Sequence, residues 1–147
     1  MANALYDKGR NKFARGDLQW KTAGHNFRCF LVDSAAYTPD LVNHEFLSDI
    51  PVGARKGNAG GSARADAALL TLIDPVGGIC DANDITFTTI PAGNVMEYLV
   101  IFRDDGVADA SSPLVLIIDT ATGLPITTNG ATISVPWDNG ANKIFKL

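Results

Sequence analysis

The residues of this chain whose chemistry could serve a reaction are two histidines, two cysteines, a short run of aspartates and one glycine-rich loop. His25 and His44 stand apart, outside the HExxH spacing that sets two imidazoles on one helix face for zinc. His44 and Glu45 are adjacent, and residues one apart do not share a helix face. Serines occur without a GxSxG elbow. Cys29 and Cys80 form no CxxC pair and lack zinc-ligand spacing. They read as buried free thiols of a chain made in a reducing compartment, and a cysteine nucleophile would need a histidine beside it in space. Asp104, Asp105 and Asp109 fall in a loop with glycine, which suits a hard cation, but their spacing is not that of a calcium loop. They read as a solvated turn, and Asp81 and Asp84 as turn formers before a strand. Residues 56–62 (KGNAGGS) lack the GxxxxGK[ST] order of a phosphate cradle. The expectation is a protein that is not an enzyme and holds no cofactor and no metal.

Charge is distributed unevenly. Residues 1–64 carry nine Lys/Arg against six Asp/Glu, and residues 65–147 carry three against ten, so +3 and −7 give the net −4. The 147 residues, 46% of them apolar, suffice for one domain with its own core and no disulfide staples. No apolar run follows the basic start as a secretory signal requires, and the longest apolar runs are too short to span a bilayer, so a soluble chain made in the cytoplasm is expected.

Positioning falls to strands. Residues 27–33 (FRCFLVD) read as a first strand, and residues 85–90 alternate apolar and Thr as a half-buried one. Residues 95–102 and 114–119 are continuously apolar, as strands covered on both faces are. Turns at Asn129-Gly130 and Asp138-Asn139-Gly140 flank ATISVPW, with NKIFKL as the last strand; Pro136 places its strand at an edge or bulge. Thr38 as N-cap, Pro39 at the first helical position and a stripe of Leu41, Val42, Glu45 and Phe46 predict a short helix over 39–48. Residues 63–73 fit either a helix or a buried strand. The fold class expected is mainly β: a single antiparallel β-sandwich or jelly-roll-like domain over 29–147, with one short helix and an extended basic N-terminal arm over 1–28.

That arm carries large apolar side chains, which are costly to leave in water, so it is laid down on its own domain or on a neighbour's. Its candidate partner-binding residues are Leu5, Tyr6, Lys8, Arg10, Lys12, Phe13, Arg15 and Trp20. Cations interleaved with aromatics can bind nucleic acid, but the net charge is negative and no RNA-binding sheet signature is present, which favours a protein partner with an acidic face. Trp137 beside the Asp138-Asn139-Gly140 turn leaves a carbohydrate-binding module as a less favoured reading.

The opening MANALYDKGRNKFARGDLQW, the segment HEFLSDIP and the close IDTATGLPITTNGATISVPWDNGANKIFKL resemble a widespread family of small structural proteins of tailed-bacteriophage particles. The resemblance covers both ends and part of the middle, but not the loop around 56–66, and carries no catalytic motif. It implies a virion component. Within that class, small β-sandwich proteins act as capsid decoration or cement, bridging capsomers on the head surface. The implied partners are the major capsid protein and further copies of the chain, as a dimer or trimer, with no membrane. A tail, neck or fibre-attachment role remains open beside this.

Overall fold

The computed structural model describes residues 3–21, 23–71, 73, 75–141 and 143–147. Met1, Ala2 and Thr22 of the leading segment, Leu72 of the ambiguous stretch, Asp74, and Asn142 of the last expected strand lie outside the described residues. In chain order the elements are β1 (Ala4–Leu5), α1 (Asp7–Arg15), β2 (Asn26–Val32), β3 (Arg55–Lys56), β4 (Ala68–Leu69), β5 (Ile79–Cys80), β6 (Ile85–Phe87), β7 (Val95–Met96), β8 (Tyr98–Asp104), β9 (Leu114–Ile118), β10 (Ile126–Thr127), β11 (Ile133–Val135) and β12 (Phe145–Lys146).

The central sheet runs β1-β9-β8-β2-β3, with β4 also on β2, and its pairings are antiparallel. Strands β2 and β8 are its axis, in continuous register from Asn26↔Asp104 to Val32↔Tyr98. Side chains alternate across this pair. Phe27, Cys29, Leu31, Leu99 and Ile101 enter one apolar cluster, and Phe30, Val32, Val100 and Phe102 enter another on the opposite face. The first cluster is closed by three two-stranded ladders, β10-β7, β11-β6 and β12-β5, which bring Met96, Phe87, Val135 and Phe145. The second is closed by Tyr6, Tyr37, Leu47, Ile50, Ala54 and Ala67, from segments largely outside the strands. The result is a small, mainly β, sandwich-like domain, with one α-helix among the described residues. Strands β8 and β9 are covered on both sides, as their unbroken apolar sequence predicts. A bulge makes this possible in β9: Ile101 faces Leu116 and Phe102 faces Leu114, leaving Val115 as the extra residue. Val115 then joins the first cluster and Leu114 the second, the reverse of strict alternation.

The helix is not where the sequence places it. Over 39–48 there is a turn at 41–43 and a 3-10 turn at Leu47–Asp49. Asp40 Oδ1 accepts the amides of Val42 and Asn43, and Asp49 Oδ2 accepts those of Glu45 and Phe46, so carboxylates hold the backbone in turns. Bonds from Leu47 N–H to Ser112 O and from Leu114 N–H to Glu45 O then tie this stretch to the start of β9. The expected apolar stripe is not used as one, since Val42 is 60% exposed. Among the described residues the one α-helix is α1, within the segment expected to be an arm. Within the ambiguous stretch, Arg64–Asp66 form a 3-10 turn and Ala68–Leu69 form β4.

Candidate partner-binding surface

The leading segment is fastened to the domain at both ends. Strand β1 pairs Ala4 with Ile117 and Leu5 with Leu116 of β9. Ahead of it, Asn3 donates from Nδ2 to Thr120 O and accepts the amides of Asp119 and Thr120 on Oδ1, which closes that sheet edge. Tyr6 is fully buried, its amide donates to Val115 O, and its hydroxyl meets Tyr37 Oη at 2.9 Å. The Tyr37 hydroxyl reaches His44 Nδ1 at 2.9 Å.

Helix α1 has acidic Asp7 in its first turn, basic Lys12 and Arg15 in its last, and Gly16 in the left-handed conformation (φ 81°) after its end. It lies directly on β9. A Cβ at Gly9 would collide with the backbone carbonyl of Leu114, so only glycine permits this approach. Gly9, Lys12 and Phe13, at i, i+3 and i+4, make its inward face. Lys12 Nζ pairs with Glu45 Oε1 at 2.8 Å and lies 5.1 Å from the Phe46 ring centroid. Phe13 packs 6.0 Å from Phe145.

Beyond α1, Trp20 enters the first cluster, edge-on to Phe145 and 4.5 Å from Phe27, with Nε1 donating to Asp81 O at 2.9 Å. Of the expected partner-binding residues, Tyr6 and Trp20 therefore lie inside their own domain, and Leu5 and Phe13 pack against its core. Lys12 is held by Glu45. Lys8, Arg10 and Arg15 face solvent, Arg10 beside Asp7 at 3.3 Å and Arg15 beside Asp17 at 3.0 Å.

Sequence reasoning missed where the other cations go. Arg28 Nε bonds Asp104 Oδ2 at 2.9 Å, and Arg64 bridges Asp104, Asp105 and Asp109. Arg55, 1% exposed, bonds Asp109 Oδ2 through Nη1 at 2.7 Å and Ile50 O through both Nε and Nη2. The acidic loop is thus neither an open turn nor a set of vacant oxygens, because guanidinium groups from the basic half occupy it. Burial pushes the Asp105 carboxyl up. Hydrogen bonds from Ser111, the Val107 amide, Ser112 and the Ala108 amide outweigh this and hold it well below the usual carboxylate range. The signal for this network was the charge split itself, but its pairs lie 40 to 76 residues apart.

The reactive side chains are also placed. Cys29 and Cys80 are free and buried. Burial pushes the Cys80 thiol up to about 12 and the Cys29 thiol higher still, so both stay protonated at neutral pH. Trp137 is 7% exposed and donates from Nε1 to Asn83 O at 3.0 Å, so it caps the core rather than offering an open ring to a sugar. Among the described residues no helix is long and apolar enough to cross a membrane. Neither a model of a known protein family nor a curated protein matches this chain.

Proposed function

We propose that this protein is a structural component of a tailed-bacteriophage particle, a decoration or cement protein that binds the assembled head lattice and stabilises it. The reading is supported by the likeness of its two ends and of HEFLSDIP to such proteins. The observation that carries it is the form of the leading segment: a helix clamped on β9 with Lys8, Arg10 and Arg15 turned outward on a body buried on both faces of its sheet. That is a rigid mount for a basic face. A ligand that binds only the assembled lattice stabilises it by mass action, by about 2.7 kcal/mol at a hundredfold excess over Kd. The partners proposed are the acidic surface of the major capsid protein and further copies of this chain.

The test has two readouts on particles of the phage that encodes the chain. Quantitative mass spectrometry should give a copy number in simple ratio to the major capsid protein. A small fixed number per particle would move the protein to the tail, neck or fibres, and its absence would end the structural reading. Binding to emptied heads should weaken with added salt, since exposed pairs are screened over about 8 Å at physiological ionic strength. It should weaken further when Lys8, Arg10 and Arg15 are changed together to Glu. Binding by that variant as tight as the parent's would remove α1 from the interface.

A further inference from the structure

Two Asn-Gly steps stand on the surface, Asn129-Gly130 and Asn139-Gly140, and all four residues are exposed. An asparagine followed by glycine can close a five-membered imide: with no Cβ on the second residue, its amide nitrogen reaches the carboxamide carbon unhindered. The fold surrounds the two steps differently. Gly130 N–H donates to Ile90 O at 3.0 Å, and Ile90 is fully buried. Asn129 Oδ1 accepts the Ala131 amide at 3.0 Å, so main chain holds both reacting groups there. At the second step the chain is anchored before and after, by Trp137 N–H to Asp84 Oδ1 at 2.8 Å and by Ile144 N–H to Cys80 O at 3.1 Å. Between these anchors the Gly140 amide bonds inside the turn itself, to Asp138 Oδ1 at 2.9 Å. That carboxylate lies so close to Gly140 that a Cβ there would meet its Oδ2. Lys143 Nζ donates to Asn139 Oδ1 at 3.4 Å and lies 3.4 Å from Asp81 Oδ2. A base therefore touches the nitrogen that would attack, and a cation touches the oxygen that would gain charge.

We propose that Asn139 is a self-modification site, at which Asp138 and Lys143 promote intramolecular loss of the side-chain amide. Asp138 takes the proton of Gly140 N–H as general base. The nitrogen attacks Asn139 Cγ, a new C–N bond forms, and Lys143 Nζ stabilises the negative charge that develops on Oδ1. The proton passes to Nδ2, the Cγ–Nδ2 bond breaks, and ammonia leaves. Water then opens the imide at one carbonyl or the other, leaving aspartate or isoaspartate at position 139. No electrons change hands, and water is the sole co-reactant. The product carries one more negative charge beside Lys143, and its isoaspartate form lengthens the main chain between Trp137 and β12. Asn129, held by Ala131 with its glycine amide tied to Ile90, stays intact over the same time.

The test incubates the full chain at neutral pH and follows both Asn-Gly steps by peptide mass spectrometry, with enzymatic isoaspartate labelling as a second readout. In the folded chain Asn139 should react about tenfold faster than Asn129, or more. In urea, where both steps lose their surroundings, the two rates should converge. Asp138→Ala, a change at an exposed position, should slow Asn139 by about tenfold, the low end of what a positioned base supplies. Lys143→Gln should slow it by about twofold to fivefold, in keeping with a partly exposed charge. Equal rates at the two steps in the folded chain, or a preference for Asn139 that persists undiminished in urea, would overturn the proposal. So would an Asp138→Ala rate equal to or above the parent's, since the carboxylate would then restrain the Gly140 amide instead of activating it.

Discussion

Replacing Arg55 by methionine tests whether the buried guanidinium is a strut of the fold. The side chain is 1% exposed, and its Nε and Nη2 donate to the Ile50 carbonyl at 2.9 and 2.6 Å. Methionine has a similar stem and fills irregular apolar space, so the cavity it leaves is small. The main loss is at Ile50, whose carbonyl is deprived of two donors at about 1–3 kcal/mol for a buried acceptor. Asp109 is 34% exposed and keeps Arg64 at 3.4 Å, so its lost partner counts as a solvent-screened pair, about 1 kcal/mol or less. Release of a buried charge offsets part of this, and the net expectation is about 2–3 kcal/mol. In urea unfolding followed by the fluorescence of Trp20 and Trp137, a slope of about 1–3 kcal/mol per molar turns that into a midpoint lower by about 1 M. Asp109→Asn should shift it by less than half as much. A methionine variant as stable as the parent would refute the strut. An asparagine variant equally damaged would transfer the role from the Ile50 carbonyl to the ion pair.

Three further outcomes are expected. Asp105 has a folded pKa below its unfolded value of about 3.9; its contribution is therefore complete above that value and is lost as pH falls toward the folded one. Asp105→Asn should flatten the acid limb of a stability-versus-pH curve, and an unchanged limb would remove Asp105 as its source. At Gly9, alanine raises helix propensity by about 1 kcal/mol but meets the Leu114 carbonyl; overpacking of about 1–3 kcal/mol should win, so a raised Tm would mean that α1 can lift off β9. Tyr37→Phe deprives the buried Tyr6 hydroxyl of its partner at 2.9 Å and should cost about 1–3 kcal/mol. Adding Tyr6→Phe should recover part of that loss, and strict additivity of the two changes would argue against the coupling.

Most of the central sheet is legible from residue type alone. FRCFLVD is marked by its aromatic and β-branched residues, and YLVIF and LVLII are apolar on both faces because both faces are covered. Pro136 announces an edge, and it follows β11, which among the described residues pairs only with β6. The helix was not legible because DKGRNKFAR has no apolar stripe. Its inward face is a glycine, a paired lysine and one phenylalanine, so hydrophobic periodicity is silent there. Capping chemistry is not silent: Asp7 at the front, Lys12 and Arg15 at the back and Gly16 just beyond follow the general start and stop pattern. The false helix over 39–48 had the reverse character, a helical pattern overridden by Asp40 and Asp49 capturing backbone amides and by strand-like bonds to β9. The placement of Arg103 opposite Phe27 was illegible because only the β2-β8 register joins residues so distant in sequence.

The charge split, read as a signal for docking, is in large part satisfied inside the molecule. Arg28, Arg55 and Arg64 from the basic half lock the loop of Asp104, Asp105 and Asp109 from the acidic half. Lys12 is likewise held by Glu45, which leaves Lys8, Arg10 and Arg15 as the outward basic face of α1, two of them beside aspartates. Exposed charges of this kind contribute about 0.2–1 kcal/mol each, and they steer and orient more than they bind. A single copy docking through α1 alone would therefore be held weakly. Tight attachment to a lattice would have to come from several copies engaging repeated sites at once, where linkage raises avidity without any new contact. On this argument self-association is a requirement of the proposed role rather than an accessory to it: a chain that stays monomeric at working concentration and still binds heads tightly must do so through a surface other than α1.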